Sequence, residues 1–291
     1  MVHFTCGEST QLTYKRRREY SILQLDGARI LITGASSGIG EALSKLVAKR
    51  GAKVILVAEH SIELQRVAGE IMAAGGDAQY ELLDLTATER DGVLQRCEKK
   101  YGPIDIVVNN AGMGLGAEVV ETSDVDLRLV FELNFFALFD LSRQAVRLMS
   151  TRKRGVIVNV TSAAARLGSP GISVYSATKG AVHTFSQALR MEAGAAGVQV
   201  CECLPVSVRT PFFDSVRGSK YRPGGVVLTP EQVAVAILKA VSCDRVPCEV
   251  LPFKPIRLAF IADACFPGLM PALHQLARKR REKALLRDHR V

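Results

Sequence analysis

The sequence predicts an α/β protein: a single domain on a doubly wound parallel sheet with helices on both faces. Two observations predict it. Short apolar runs alternate with longer amphipathic stretches from residue 28 to about 252, and a glycine-rich turn joins the first run to the first stretch. The length of 291 residues, 48% hydrophobic and 23% charged, suits one large domain or two small ones.

The predicted strands are Ala28–Thr33, Lys53–Ala58, Ala78–Leu83, Ile104–Asn109, Val156–Val160 and Val198–Leu204. Apolar residues fill them without alternation, as expected of strands buried on both faces. The predicted helices are Ile39–Arg50, Ser61–Ala74, Ala87–Lys100, Ser123–Ser150 and Val174–Ala193. Strand–helix alternation with right-handed crossovers favours the doubly wound sheet.

Residues 33–40 read Thr-Gly-Ala-Ser-Ser-Gly-Ile-Gly, directly between the first strand and the first helix. Gly34, Gly38 and Gly40 allow a tight turn and close approach of the backbone to a pyrophosphate. The helix end adds free N–H groups and a positive dipole end, with Ser36, Ser37 and Ile39 in the same turn. In this context the motif points to a Rossmann fold and a dinucleotide. Glu59 ends the second strand, where an acid could bind ribose hydroxyls and would repel a 2′-phosphate. The expected cofactor is therefore NAD or NADP, with a lean to NAD.

Tyr175 and Lys179 lie four residues apart on a predicted helix, on one face. A tyrosine of ordinary pKa about 10 is a poor base at neutral pH, and a neighbouring ammonium lowers that pKa. The pair is thus a candidate acid–base device.

Across residues 25 to 250 the chain resembles the short-chain dehydrogenase/reductase (SDR) family. The resemblance rests on the glycine turn, Asn109-Asn110-Ala111-Gly112, Asn134, Ser162, and Tyr175-Ser176-Ala177-Thr178-Lys179, with Ser162 thirteen residues before Tyr175. It implies an NAD(P)-dependent oxidoreductase that interconverts a ketone and a secondary alcohol. Tyr175 would be the general acid or base, Ser162 would bind the substrate oxygen, and Lys179 would lower the tyrosine pKa and hold the nicotinamide ribose. Asn134 would anchor a proton-relaying water. Asp84 and Leu85 would flank the adenine, Asn110, Ala111 and Gly112 would line the crevice, and Pro205, Val208 and Thr210 would approach the nicotinamide. The resemblance also implies a homodimer or homotetramer, formed through the helices Ser123–Ser150 and Val174–Ala193. One departure stands out: Val206 occupies the place where the family usually has glycine, and a β-branched residue at φ > 0 would be strained. A second reading, from another class, is a catalytically silent nucleotide-binding scaffold or redox sensor.

Residues 1–24 form a basic polar extension, 25–252 the catalytic domain, and 253–291 an extension that is apolar and then basic. The net charge of +9 is concentrated at the two ends, which argues against a nucleic-acid-binding core. The irregular stretch 211–230, with Phe212, Phe213, Val216 and Tyr221, reads as a lid favouring an apolar, lipid-like substrate. The apolar stretch from Pro252 to Leu276, followed by Arg278-Lys279-Arg280-Arg281, suits peripheral contact with an anionic membrane. The polar N-terminus is no signal peptide, and no spanning run occurs. The seven cysteines, odd in number and without a C-x-x-C pair, read as reduced thiols in a cytoplasmic compartment, and no metal site is expected.

Overall fold

The computed structural model describes residues 25–213, 225–269, 272 and 275. The basic N-terminal extension, most of the lid including Val216 and Tyr221, and the segment Arg278–Arg281 lie outside the described residues.

Seven strands form one parallel sheet in the order β3-β2-β1-β4-β5-β6-β9. They are β1 (Arg29–Thr33), β2 (Lys53–Ala58), β3 (Asp77–Leu82), β4 (Ile106–Asn109), β5 (Gly155–Val160), β6 (Val198–Cys203) and β9 (Glu249–Val250). A two-stranded parallel pair, β7 (Ser207–Val208) with β8 (Val227–Leu228), stands apart. The order reverses between β1 and β4, so a crevice opens there at the carboxyl ends of the strands. The helices are α1 (Gly38–Ala48), α2 (Ser61–Ala73), α3 (Val93–Tyr101), α4 (Asp124–Phe131), α5 (Leu138–Arg152), α6 (Ser173–Ala195), α7 (Pro230–Val241) and α8 (Ile256–Cys265). One core lies beneath α1, α2 and α7, with Ile30, Ile32, Val54, Leu56 and Ile237 fully buried. The other lies beneath α3, α5 and α6, with Leu31, Ile55, Leu94, Leu141 and Met149. The alternating faces of β1 and β2 thus feed two separate layers, as strands buried on both sides must.

Several expectations need correction. The third strand is not buried on both faces: β3 is the edge strand, with Tyr80 and Leu82 exposed, because its sequence Asp-Ala-Gln-Tyr-Glu-Leu carries little apolar surface to cover. The helix expected over Ala87–Lys100 starts at Val93. Gly92 before it takes φ +67°, and a short 3-10 turn, Thr88–Arg90, precedes that. The long helix Ser123–Ser150 is interrupted by one wide π-type turn, Glu132–Ala137. Strand β9 and helix α7 were not foreseen. Helix α8 opens the C-terminal extension and packs Phe260 against Ala163 and Leu204. No helix of the described residues is long and apolar enough to cross a membrane.

Candidate active site

The turn after β1 builds one end of the crevice. Gly34 and Gly38 take φ of +61° and +55°, where a Cβ is strained. A Cβ on Gly40 would stand 2.1 Å from the Gly34 carbonyl oxygen, so α1 starts in contact with the turn. Ser37 caps α1 without a side-chain bond to its first turn, which leaves N–H groups facing the crevice mouth. Thr33 Oγ1 accepts from the backbone N–H groups of Asn110 and Ala111 at 2.9 and 3.0 Å, and Asn110 Nδ2 donates to the Thr33 carbonyl at 3.0 Å. The Asn110–Gly112 loop is thereby locked onto the glycine turn. From the far side the Thr210 methyl packs on Gly38: a Cβ there would meet Thr210 Cγ2 at 2.9 Å. A tight glycine turn, an uncapped helix start and a fixed floor fit a dinucleotide pyrophosphate. Gly34, Gly38, Gly40, Asn110 and Thr210 are the residues the fold brings together around this turn.

At the end of β2, Glu59 is half exposed, its carboxylate 3.7 Å from His60 Nε2. Asp84 lies past β3, and its Oδ1 accepts from Thr86 N–H and hydroxyl at 2.8 and 2.7 Å. The carboxylate therefore also stabilises its own turn. Leu85, next to it, is buried in the second core, and its carbonyl accepts from Arg90 Nη1 at 2.9 Å. Val208 is likewise buried in the first core. The Pro205 carbonyl accepts from the Ala163 N–H at 2.8 Å and ties the strand-β6 loop to Ser162. Val206 is not strained. Among described non-glycine residues only Lys153 has positive φ, and Val206 packs against both neighbouring clusters. The loop simply takes a course that needs no glycine.

The other end of the crevice brings Asn134, Tyr175 and Lys179 together, with Ser162 two residues beyond the Val160 carbonyl that Lys179 reaches. Ser162 follows β5 in extended conformation, and its Oγ accepts from the Ala164 N–H at 3.1 Å. On α6, Lys179 Nζ stands 5.8 Å from the centre of the Tyr175 ring. Lys179 is 4% exposed, and its ammonium donates to the Val160 carbonyl at 3.2 Å. Burial pulls its pKa down to about 8, while the Glu202 charge works in the opposite direction. Asn134 sits in the π-type turn, fully buried. Its Oδ1 accepts from Met113 N–H at 2.8 Å, and its Nδ2 donates to the Met113 carbonyl at 2.9 Å and Thr178 Oγ1 at 3.1 Å. Thr178 in turn donates to the Tyr175 carbonyl. A Cβ on Gly112 would lie 3.0 Å from Asn134 Oδ1 and 3.4 Å from Lys179 Nζ, so those three positions converge. The wide turn is what aims Asn134 inward; π-type turns often mark functional positions. The Phe212 ring lies edge-on to Tyr175 at 5.8 Å, at the start of the stretch 211–230.

The sequence reading missed Thr33 and Thr178, which position neighbours rather than face the crevice. It also missed a buried cluster behind Lys179, formed by Thr161, Glu202, His183 and Arg166. One signal was available: a glutamate, the one charged residue of the strand Val198–Leu204.

A profile of the short chain dehydrogenase family matches residues 28–220. The chain is 38% identical over 181 residues to gluconate 5-dehydrogenase of Gluconobacter oxydans, covering 62% of this chain and 70% of that protein. It is 31% identical over 267 residues to a dehydrogenase/reductase SDR family protein 7-like protein of Anopheles gambiae, covering 86% and 83%. Among solved structures, a short-chain dehydrogenase from Sphingobium yanoikuyae in complex with NADPH superposes with a TM-score of 0.73 at 27% identity, over 84% of this chain and 95% of that one. A short-chain dehydrogenase/reductase from Burkholderia phymatum in complex with NAD gives a TM-score of 0.77 at 24% identity, which speaks for the fold alone.

Proposed function

The chain belongs to the short-chain dehydrogenase/reductase family of nicotinamide-dependent oxidoreductases, and from that premise we propose that Tyr175, Lys179, Ser162 and Asn134 interconvert a ketone and a secondary alcohol. The observation that carries this reading is the buried Lys179 ammonium one helical turn from the Tyr175 ring. A bound dinucleotide supplies or accepts the hydride. Tyr175 gives its phenolic proton to the substrate oxygen in reduction and takes it back in oxidation. Lys179 stabilises the phenolate that results. Ser162 donates a second hydrogen bond to the same oxygen, where charge develops. Asn134, held by Met113 and Thr178, keeps α4 and α6 in register with the site.

Glu59 favours NAD over NADP by like-charge repulsion of a 2′-phosphate. Phe212 beside Tyr175 supports an apolar substrate. Turnover of a ketone series of increasing chain length with NADH and with NADPH tests both. Rates that rise with chain length and with NADH support the reading, and activity confined to short polar ketones with NADPH contradicts it.

The exposed rings of Phe136 and Phe139 on the α4–α5 segment, with Met191 on α6, support a homo-oligomer. Helix α8 presents Leu258 and Ile261, with Phe266 and Leu269 just beyond, all exposed. The basic run Arg278-Lys279-Arg280-Arg281 follows in sequence. Apolar surface followed in sequence by positive charge supports peripheral docking on an anionic lipid surface. Flotation with phosphatidylserine vesicles tests this: Leu258→Glu with Ile261→Glu should release the protein, and unchanged flotation refutes the docking.

A further inference from the structure

Behind the Tyr175–Lys179 pair lies a partly buried charged network that the proposed reaction leaves unused. Glu202 in β6 is fully buried. Its Oε1 accepts from Thr161 Oγ1 at 2.8 Å, and its Oε2 faces His183 Nδ1 at 2.8 Å. His183 Nε2 faces two donors, Arg166 Nε at 3.2 Å and Gln187 Nε2 at 3.1 Å. It therefore accepts, the proton sits on Nδ1, and the ring donates that proton to Glu202 while remaining neutral. The other arm of Arg166 pairs with Glu249, the neighbour of Glu202 across the sheet. His183, Glu202 and Glu249 present ligand atoms within 4.8 Å of one another, but the Arg166 guanidinium is already the cation among them.

Charge balance then leaves one relationship to explain. Arg166 and Glu249 neutralise each other, and His183 is neutral. Glu202 keeps a negative charge in the interior, where an uncompensated carboxylate is costly. Lys179 keeps a positive charge in the same interior, one helical turn before His183, and donates to the carbonyl of Val160, the residue before Thr161. Across the strand pair the Glu202 N–H donates to the Cys248 carbonyl, which also accepts from Arg190 Nη2, and Cys201 and Cys203 flank Glu202 on its own strand. Burial holds both thiols neutral.

We propose that Glu202 is the counter-charge of Lys179, a positioning residue that holds the amine as an ammonium beside Tyr175, with Thr161 and His183 holding the carboxylate for that task. The proposal rests on the reading that Lys179 serves Tyr175. It concerns a group outside the crevice, one that touches neither substrate nor dinucleotide.

The test reads Lys179 itself. Lysine-selective 15N NMR of the protein, with Lys179 assigned by a Lys179→Arg variant, gives the midpoint of its titration. In Glu202→Gln the midpoint should fall by about one pH unit or more. In Glu202→Asp, which keeps the charge but withdraws it by one methylene, it should fall less. An unmoved midpoint in folded Glu202→Gln overturns the proposal. If that variant does not fold, an unmoved midpoint in Glu202→Asp overturns it equally. Turnover is read separately. The rise of alcohol oxidation with pH should move to the alkaline side in Glu202→Gln. A shifted midpoint in a protein that turns nothing over removes the reaction and leaves the counter-charge standing. Normal turnover with an unmoved midpoint does the reverse.

Discussion

Lys179 Nζ lies 5.8 Å from the centre of the Tyr175 ring and donates to the Val160 carbonyl, so one buried ammonium joins the catalytic helix to the end of strand β5. That position explains both its use and its cost. Burial in a low-dielectric interior disfavours the charge and lowers the amine pKa to about 8, against the pull of Glu202.

The cost should be visible as stability. An amine whose folded pKa is depressed destabilises the fold fully below about pH 8, where both states are protonated. The loss is relieved as pH rises toward the ordinary lysine value, because the unfolded chain binds the extra proton over that window. The buried thiols act in the opposite direction: burial raises Cys97 to about 11 and Cys201 to about 12. Comparison with Lys179→Met cancels them. The stability of wild type relative to that variant, from urea unfolding, should rise by roughly 3 kcal/mol between pH 7.5 and 10.5.

The glycine turn should tolerate no side chain at its tightest contact. Gly40→Ala drives a Cβ to 2.1 Å from the Gly34 carbonyl oxygen, a backbone atom that cannot swing aside. We expect a loss of about 1–3 kcal/mol or more and no dinucleotide binding by calorimetry. Gly69→Ala, in the interior of α2 with nothing within 4 Å, should instead gain about 0.5–1 kcal/mol by thermal unfolding.

Asn134 should matter for stability before it matters for turnover. Asn134→Ala strands the N–H and carbonyl of Met113 and takes from the Thr178 hydroxyl oxygen the donor it accepts from, in a buried site. The expected loss is about 2–5 kcal/mol. Thr178→Val removes one of those bonds and should cost about 1 kcal/mol, measured by denaturant unfolding.

Cofactor choice should follow the charge at the end of β2. Glu59 is half exposed, and replacing it with Ser removes the repulsion of a 2′-phosphate. The ratio of kcat/KM with NADPH to that with NADH should rise by about tenfold in Glu59→Ser. An unchanged ratio would mean that the carboxylate does not face the ribose.

The sequence showed what short-range chemistry dictates. Glycines with fixed spacing, apolar strands and a tyrosine–lysine pair on one face were all legible, because each is a local pattern. The edge position of β3 was not, since only the pairing of whole strands decides which one lies outermost. Helix α7 was missed although Thr229, Pro230 and Gln232 form a capping box with proline in the first turn. The break at Asn134 was hidden because its turn, Glu-Leu-Asn-Phe-Phe-Ala, carries no glycine or proline to mark it. The partners of Glu202 were hidden for a different reason. Thr161, His183 and Arg166 are distant from it in sequence and meet only when β5, β6 and α6 pack.

In the proposed reaction Tyr175 moves the proton while the glycine turn holds the dinucleotide. Tyr175→Phe keeps the ring that packs against Phe212 and removes the hydroxyl. Stopped-flow reduction of a ketone with bound reduced dinucleotide should slow by about 10²–10⁴-fold, with dinucleotide affinity unchanged. Reduction at the wild-type rate in a folded Tyr175→Phe protein would contradict that role for Tyr175.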